Sequence, residues 1–311
     1  MLAYDPDQSH EDQKFQSLKR AASGAATGFL CRTIVQPLDV IKIRFQLQVE
    51  PITLDSEHSK YRSIAHIFKL MVREEGVKSL WKGLFASQLI SIVYTPIQFT
   101  AFYSLTEYSV TKLNQKHDSP ILHLTCGGVA GMIAITAAHP FDTLRTRLVG
   151  QGEPKIYRSQ YHALQKILRT EGIGGLYRGL VPNVALVGPQ AGATFFGYEC
   201  CKQLLTQMYP SSKDTVISNL VSGALSGIFS KSIIYPLDSI KKRLQVQGFE
   251  EARTKFGSIR KYQGMTDCMM KIVREESFLG LYKGYLPSLY KAAAVTALNF
   301  AFFEFAISHW Q

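Results

Sequence analysis

The chain has 311 residues, 46% of them hydrophobic and only 19% charged, with a formal net charge of +11. That balance excludes a disordered chain and is poorer in charge than a typical soluble domain. No groove-reading motif accompanies the basic excess, so nucleic-acid binding is excluded as well.

Residues 1–15 carry Asp5, Asp7, Glu11 and Asp12 and lack an apolar core. They read as a polar tail, neither a secretory signal nor an Arg-rich transit peptide. Next comes a unit that recurs three times with a period of about 100 residues, over 16–112, 119–207 and 215–309. Each copy opens with two glycines four apart: Gly24 and Gly28, Gly127 and Gly131, Gly223 and Gly227. The phrases Pro37-Leu38-Asp39-Val40-Ile41-Lys42-Ile43-Arg44, Pro140-Phe141-Asp142-Thr143-Leu144-Arg145-Thr146-Arg147 and Pro236-Leu237-Asp238-Ser239-Ile240-Lys241-Lys242-Arg243 follow. Further on, Glu75-Gly76 leads to Trp81-Lys82-Gly83, Glu171-Gly172 to Tyr177-Arg178-Gly179, and Glu276-Ser277 to Tyr282-Lys283-Gly284.

Segments 83–106, 119–141 and 179–198 contain no Asp, Glu, Lys or Arg, and each exceeds the ~18 residues that mark a membrane-span candidate. Shorter charge-free stretches at 21–31, 215–230 and 292–303 complete six spans, two per repeat. Of the 35 Lys and Arg residues, 25 lie in the three segments 42–82, 145–178 and 241–283 that link the spans within each repeat. Those loops therefore share one face of the membrane, and both termini lie on the other.

Small residues let helices approach closely in lipid, so the paired glycines predict one tight face on each odd-numbered helix. Each proline removes a backbone donor and kinks its helix. Three kinked helices converging at one depth would bring together the i, i+3 pairs Asp39 and Lys42, Asp142 and Arg145, and Asp238 and Lys241. Charges at membrane depth turn inward and find partners, so the acid of one helix meets the base of the next. The result is an electrically neutral ring. Seven residues before Asp39 and Asp238, on nearly the same helical face, stand Arg32 and Lys231, with Ile135 at the second-repeat position. These cations predict a cavity for a multiply charged anion, with phosphate the natural fit.

Cys31, Cys126, Cys200, Cys201 and Cys268 form no C-x-x-C pair, so free thiols are expected and neither a disulfide framework nor a metal site. No P-loop, G-x-S-x-G or metal signature indicates an enzyme. His139, beside Pro140, reads as a helix-packing residue.

The repeated phrases resemble the mitochondrial carrier family, and the resemblance covers nearly the whole chain. It implies an all-α membrane protein: six transmembrane helices in a pseudo-threefold bundle, with a short matrix-side helix in each repeat. Alternating access across the inner mitochondrial membrane is also implied, with both termini facing the intermembrane space and the carrier a monomer without cofactor. The family's pattern pairs Asp39 with Arg145, Asp142 with Lys241, and Asp238 with Lys42 in a matrix gate. Gln46 and Gln245 brace two of the pairs, and Val149 stands where the third brace would be. A thin cytoplasmic gate is implied by Tyr198-Glu199 with Lys202, and by Glu304 as the partner of Lys202. By the same resemblance Gly83, Gly179, Gly284 and Gly264 mark cardiolipin sites. Of the aromatic-x-Gly partners only Tyr262-Gln263-Gly264 is intact, since Ser63 and Ala163 follow Tyr61 and Tyr161. The family's substrate-contact levels fall on Val93, on Leu186 with Val187, and on Lys291.

The stretches 37–48, 151–157 and 248–262 are similar to the branch of the family that carries thiamine pyrophosphate. That similarity implies exchange of thiamine pyrophosphate against nucleotides. A nucleotide or coenzyme A exchanger of the same fold is the alternative, and a non-transporting membrane scaffold a more distant one.

Overall fold

The computed structural model describes residues 6–52, 59–113, 119–153, 155–208, 216–249 and 260–308. Side chains are described between 27 and 298, save at 113, 120, 216, 217 and 220. Each repeat has a long helix, a short amphipathic helix, a short helical turn and a second long helix, which is broken in the second repeat. In the first repeat these are α1 (Pro6–Leu47), α2 (Ile64–Glu75) and α3 (Leu84–Leu113). The second has α4 (Pro120–Gly150), α5 (Gln160–Thr170), α6 (Gly172–Leu176), α7 (Leu180–Ala185) and α8 (Val187–Met208). The third has α9 (Val216–Gln245), α10 (Met265–Glu276) and α11 (Tyr285–Ser308). No strand occurs among the described residues. The fourth span is broken at Leu186, which caps the C-terminus of α7 just before the Gly188-Pro189 pair.

The helices α1, α4 and α9 run on through Pro37, Pro140 and Pro236. The most extensive packing joins neighbouring repeats: α3 lies along α4, α8 along α9, and α11 along α1. This last contact closes the ring. Among the described residues two segments, Val77–Lys112 and Ile121–Gly150, are long and apolar enough to cross a membrane by composition alone.

Tight approach occurs elsewhere than the glycine pairs predict. A Cβ added at Gly28, Gly223 or Gly227 would meet nothing within 4 Å, one at Gly127 would meet only the Phe102 ring at 3.9 Å, and one at Gly131 the Val187 side chain at 3.4 Å. Gly24 lies outside the described side chains. Helices α8 and α9 instead meet at Gly197, where a Cβ would stand 3.3 Å from Ser226 Cα. Hydrogen bonds from Ser230 Oγ to Gln190 O at 3.1 Å and from Thr194 Oγ1 to Ser230 Oγ at 2.8 Å line the same seam. Small hydroxylic residues, not the G-x-x-x-G spacing, set this contact.

The apolar core lies at the basic end. Each amphipathic helix buries an i, i+4 pair there, Ile67 with Met71, Ala163 with Ile167, and Cys268 with Ile272. Ser63 and Ser159 cap α2 and α5 by accepting from the backbone N–H of His66 and His162. The second-repeat match to Tyr61 and Tyr262 is therefore Tyr157, two residues before its cap Ser159, and not Tyr161. No disulfide joins any of the five cysteines, and burial pushes the Cys268 thiol up to about 12.

Ser277 interrupts the Glu-Gly phrase at a cost. Its φ of 71° and ψ of 171° lie in a region open essentially to glycine, and it is the sole non-glycine with positive φ among the described residues. Ser277→Gly is therefore expected to stabilise the protein by about 1 kcal/mol, measured as a raised midpoint of thermal unfolding. An unchanged or lowered midpoint would contradict the strain.

Candidate functional site

Asp39, Asp142 and Asp238 stand two residues after the prolines of α1, α4 and α9, at one level of the bundle. Arg145 Nη2 lies 2.7 Å from Asp39 Oδ2, and Lys42 Nζ lies 2.6 Å from Asp238 Oδ2. The third expected pair is looser: Lys241 Nζ is 3.4 Å from Asp142 Oδ2 and also 3.4 Å from Asp238 Oδ1. Lys242 takes the short contact, 2.8 Å to Asp142 Oδ1, and donates to Thr146 Oγ1 and Gln245 Oε1. At this position the other repeats have Ile43 and Thr146, so sequence reasoning had no reason to select it. Gln46 Nε2 donates to Asp238 Oδ2 at 3.1 Å and Gln245 Nε2 to Asp142 Oδ2 at 2.9 Å, while Val149 is apolar and fully buried.

Lys291 is not an unpaired cavity cation. Its Nζ sits 2.6 Å from Asp39 Oδ1 and 2.8 Å from Oδ2. The ring thus holds three carboxylates against five bases, Lys42, Arg145, Lys241, Lys242 and Lys291. It is cationic where the sequence predicted neutrality, because a neighbouring lysine on α9 and a cavity lysine on α11 both reach the same carboxylates.

Beneath it lies a second ring that the sequence reading did not assign. The last base of each proline phrase grips the acid of the Glu-Gly phrase with both guanidinium arms: Arg44 with Glu75 at 2.6 and 2.7 Å, Arg147 with Glu171 at 2.5 and 2.9 Å, and Arg243 with Glu276, one arm at 2.7 Å. Each guanidinium also reaches the next repeat. Arg44 Nε donates to Val149 O, Arg147 Nε to Gln245 O, and Arg243 Nε to Gln46 O. The base of the aromatic-base-Gly phrase joins the same carboxylate, Lys82 at 2.6 Å, Arg178 at 3.2 Å and Lys283 at 2.5 Å. Burial alone would raise the Glu75 carboxyl, but the hydrogen bonds and charge of Arg44 and then Lys82 outweigh it and hold Glu75 below its usual value. The copying of that arginine and glutamate in all three repeats was the available signal.

The glycines of the third phrase let these layers touch. Gly83, Gly179 and Gly284 have φ of 76°, 80° and 82°. A Cβ on Gly179 would lie 2.9 Å from Lys241 O, and one on Gly284 2.8 Å from Lys42 O. The residue before each proline binds the same segment: Gln36 Nε2 donates to Lys82 O at 2.9 Å and Tyr235 Oη to Lys283 O at 2.9 Å. His139 Nε2 is 3.0 Å from Arg178 O, and its Nδ1 is 3.0 Å from Asn183 Nδ2. Because a carbonyl only accepts, Nε2 carries the proton and Nδ1 accepts from the amide.

Above the ring, Arg32 Nη1 donates to Ser87 O at 3.0 Å and Lys231 Nζ to Ser288 O at 3.2 Å. These are matching positions on α3 and α11, and neither cation forms an ion pair among the described residues. Lys231 borders a cavity of about 780 Å³ between α8, α9 and α11, and a smaller one of about 220 Å³ that also touches Ile135, Leu186, Gln190 and Asp238. Val187 turns toward Gly131, and Val93 is half-buried on α3. Glu199 and Lys202 lie on α8, whereas the expected pairing of Lys202 with Glu304 falls outside the described side chains. Gly264 precedes α10.

The family model described as "Mitochondrial carrier protein" matches residues 13–113, 116–209 and 212–311. The chain is 40% identical over 306 residues to the mitochondrial thiamine pyrophosphate carrier of Bos taurus, covering 98% of this chain and 96% of that protein. It is 40% identical over 310 residues to the protein of that name from Homo sapiens, with 98% and 95% covered. With mitochondrial thiamine diphosphate carrier 2 of Zea mays it shares 37% over 322 residues, with 96% and 95% covered. Three matched repeats and near full-length likeness place this chain in the mitochondrial carrier family.

Proposed function

We propose that the protein exchanges thiamine pyrophosphate for nucleotides or other phosphorylated anions by alternating access across the mitochondrial inner membrane, with both termini in the intermembrane space. The observation that carries this reading is the pair Arg32 and Lys231, each held on a backbone carbonyl above the ring with no carboxylate partner among the described residues, and Lys231 bordering the cavity. A diphosphate supplies the charge they lack through charge-assisted hydrogen bonds. The names and near full-length similarity of the relatives support thiamine pyrophosphate as the cargo.

In this reading the upper ring is the matrix gate. Its pairs, with the Gln46 and Gln245 braces, hold α1, α4 and α9 together while the cavity is open to the other side. A buried ion pair contributes little net stability, which suits an element that must part and reform in every cycle. Lys202 and Glu304 form the opposing gate. Cardiolipin phosphates bind at the helix N-termini marked by Gly83, Gly179, Gly284 and Gly264. A groove of about 870 Å³ between Ser63 at the start of α2 and Gly284 at the start of α11 suits such a lipid. The carrier works as a monomer.

Reconstituted in vesicles, the protein is expected to take up labelled thiamine pyrophosphate when nucleotide or thiamine phosphate is loaded inside. Equal uptake of unphosphorylated thiamine, or uptake into unloaded vesicles at the same rate, would contradict anion exchange. Stronger competition by unlabelled nucleotides or coenzyme A than by thiamine pyrophosphate would transfer the reading to those cargoes.

A further inference from the structure

The three carboxylates of the upper ring are not held alike. Asp142 and Asp238 each accept from a glutamine, Gln245 and Gln46, that is fully buried. No anion entering the cavity can reach those two amides. The third position of the same register is Val149, which has no polar side-chain atom to offer Asp39. Arg145 gives Asp39 one hydrogen bond through Nη2, and its buried Nε has no partner. The second hold on Asp39 comes instead from Lys291 on α11, whose Nζ contacts both carboxylate oxygens at 2.6 and 2.8 Å. The Lys291 side chain is 31% exposed, whereas those of Lys42, Asp39, Asp142, Arg145, Asp238 and Lys241 are 11–17% exposed. Part of this lysine therefore stays open where the other members of these pairs are shut in.

We propose that Lys291 is a removable brace for the Asp39–Arg145 pair: a phosphorylated cargo captures its ammonium group and so loosens the seam between α1 and α4 before the other two. The inference rests on the anion-exchange reading. A phosphate oxygen is an acceptor at least equal to a carboxylate for an ammonium donor, so cargo and Asp39 compete for one cation. The cargo that gains Lys291 leaves Asp39 with a single bond to Arg145. The glutamine braces stay in place until that seam has opened, which couples the first movement of the gate to occupancy of the cavity.

The test is a titration of the purified carrier with inorganic pyrophosphate, followed by thermal unfolding, in wild type, Asp39→Asn, Lys291→Gln and the double variant. Removing the competitor is expected to lower the half-saturating pyrophosphate concentration about tenfold in Asp39→Asn, the factor expected if Lys291 is engaged nine-tenths of the time. That gain is expected to vanish when Lys291→Gln is added. An equal gain with and without Lys291, or no pyrophosphate binding by the wild type, would overturn the proposal. Should Asp39→Asn fail to fold, Val149→Gln carries the test by supplying the missing amide. Exchange is then expected to slow about fivefold through one added hydrogen bond with half-saturation unchanged, and wild-type exchange rates would count against the brace. Since the binding probe is pyrophosphate, these results stand apart from whether thiamine pyrophosphate itself is exchanged.

Discussion

A Glu276→Gln carrier is expected to lose about 3 to 5 kcal/mol of folding stability, the usual consequence of removing one partner from a buried pair. The Glu276 side chain is 4% exposed and receives both arms of Arg243 and the Lys283 ammonium. Neutralising it leaves two cations facing each other at the basic end without an anion. Arg243 is also committed to Gln46 O and Gln48 O of the first repeat, so it cannot withdraw to water without breaking those bonds as well. Replacing Arg243 and Glu276 together by methionine should cost less than the single change, because no unpaired charge remains between those two positions. The comparison is Glu74→Gln, which among the described residues breaks the ion pair with Lys60, where the Glu74 side chain is 43% exposed. That variant should stay within about 0.5 kcal/mol of wild type. Thermal unfolding in detergent measures all three, and equal losses in Glu74→Gln and Glu276→Gln would refute the distinction.

Lys231→Ala is expected to reduce exchange about 100-fold while leaving the unfolding midpoint within a few degrees. In the folded protein the ammonium makes one described hydrogen bond, to Ser288 O. Its removal frees a carbonyl at the edge of a cavity that water can enter, so little is left unsatisfied. The phosphate that the cation would have met loses a charge-assisted bond inside a low-dielectric cavity, where such bonds are strongest. Lys231→Arg should recover a large part of the rate. Unchanged exchange by the alanine variant would remove Lys231 from the site.

The architecture was legible because its causes are periodic. Three prolines at one register, each followed by an acid and a base three residues apart, admit few arrangements other than a ring of helices. Charge-free spans separated by basic loops fixed which ends of the helices are joined. Contacts set by a single repeat were harder to read. Lys242 occupies a variable position of its phrase, and only the crossing of α9 over α4 shows that its side chain falls on Asp142. Lys291 has no repeated counterpart, so its attachment to Asp39 depends on how far α11 leans over α1. The paired glycines failed as a packing signal because spacing alone does not say which face of a helix meets a neighbour. Tyr161 lies inside α5, whose cap is Ser159, so the aromatic in the position of Tyr61 is Tyr157, which the bare aromatic-x-Gly pattern does not distinguish.

The lower layer of guanidinium groups has a consequence for how such a chain could arise. Every unit donates from its arginine to the main chain of the unit that follows, and the third returns to the first. This is a head-to-tail interface whose rotation closes after three steps, the geometry of a cyclic trimer. A lone unit would carry one unmatched donor face and one unmatched acceptor face, each fitted to another copy of itself. Gene fusion would then have joined an assembly already complete, and afterwards allowed the three copies to diverge at positions such as Lys242 and Lys291 that a strictly symmetric trimer could not vary one at a time.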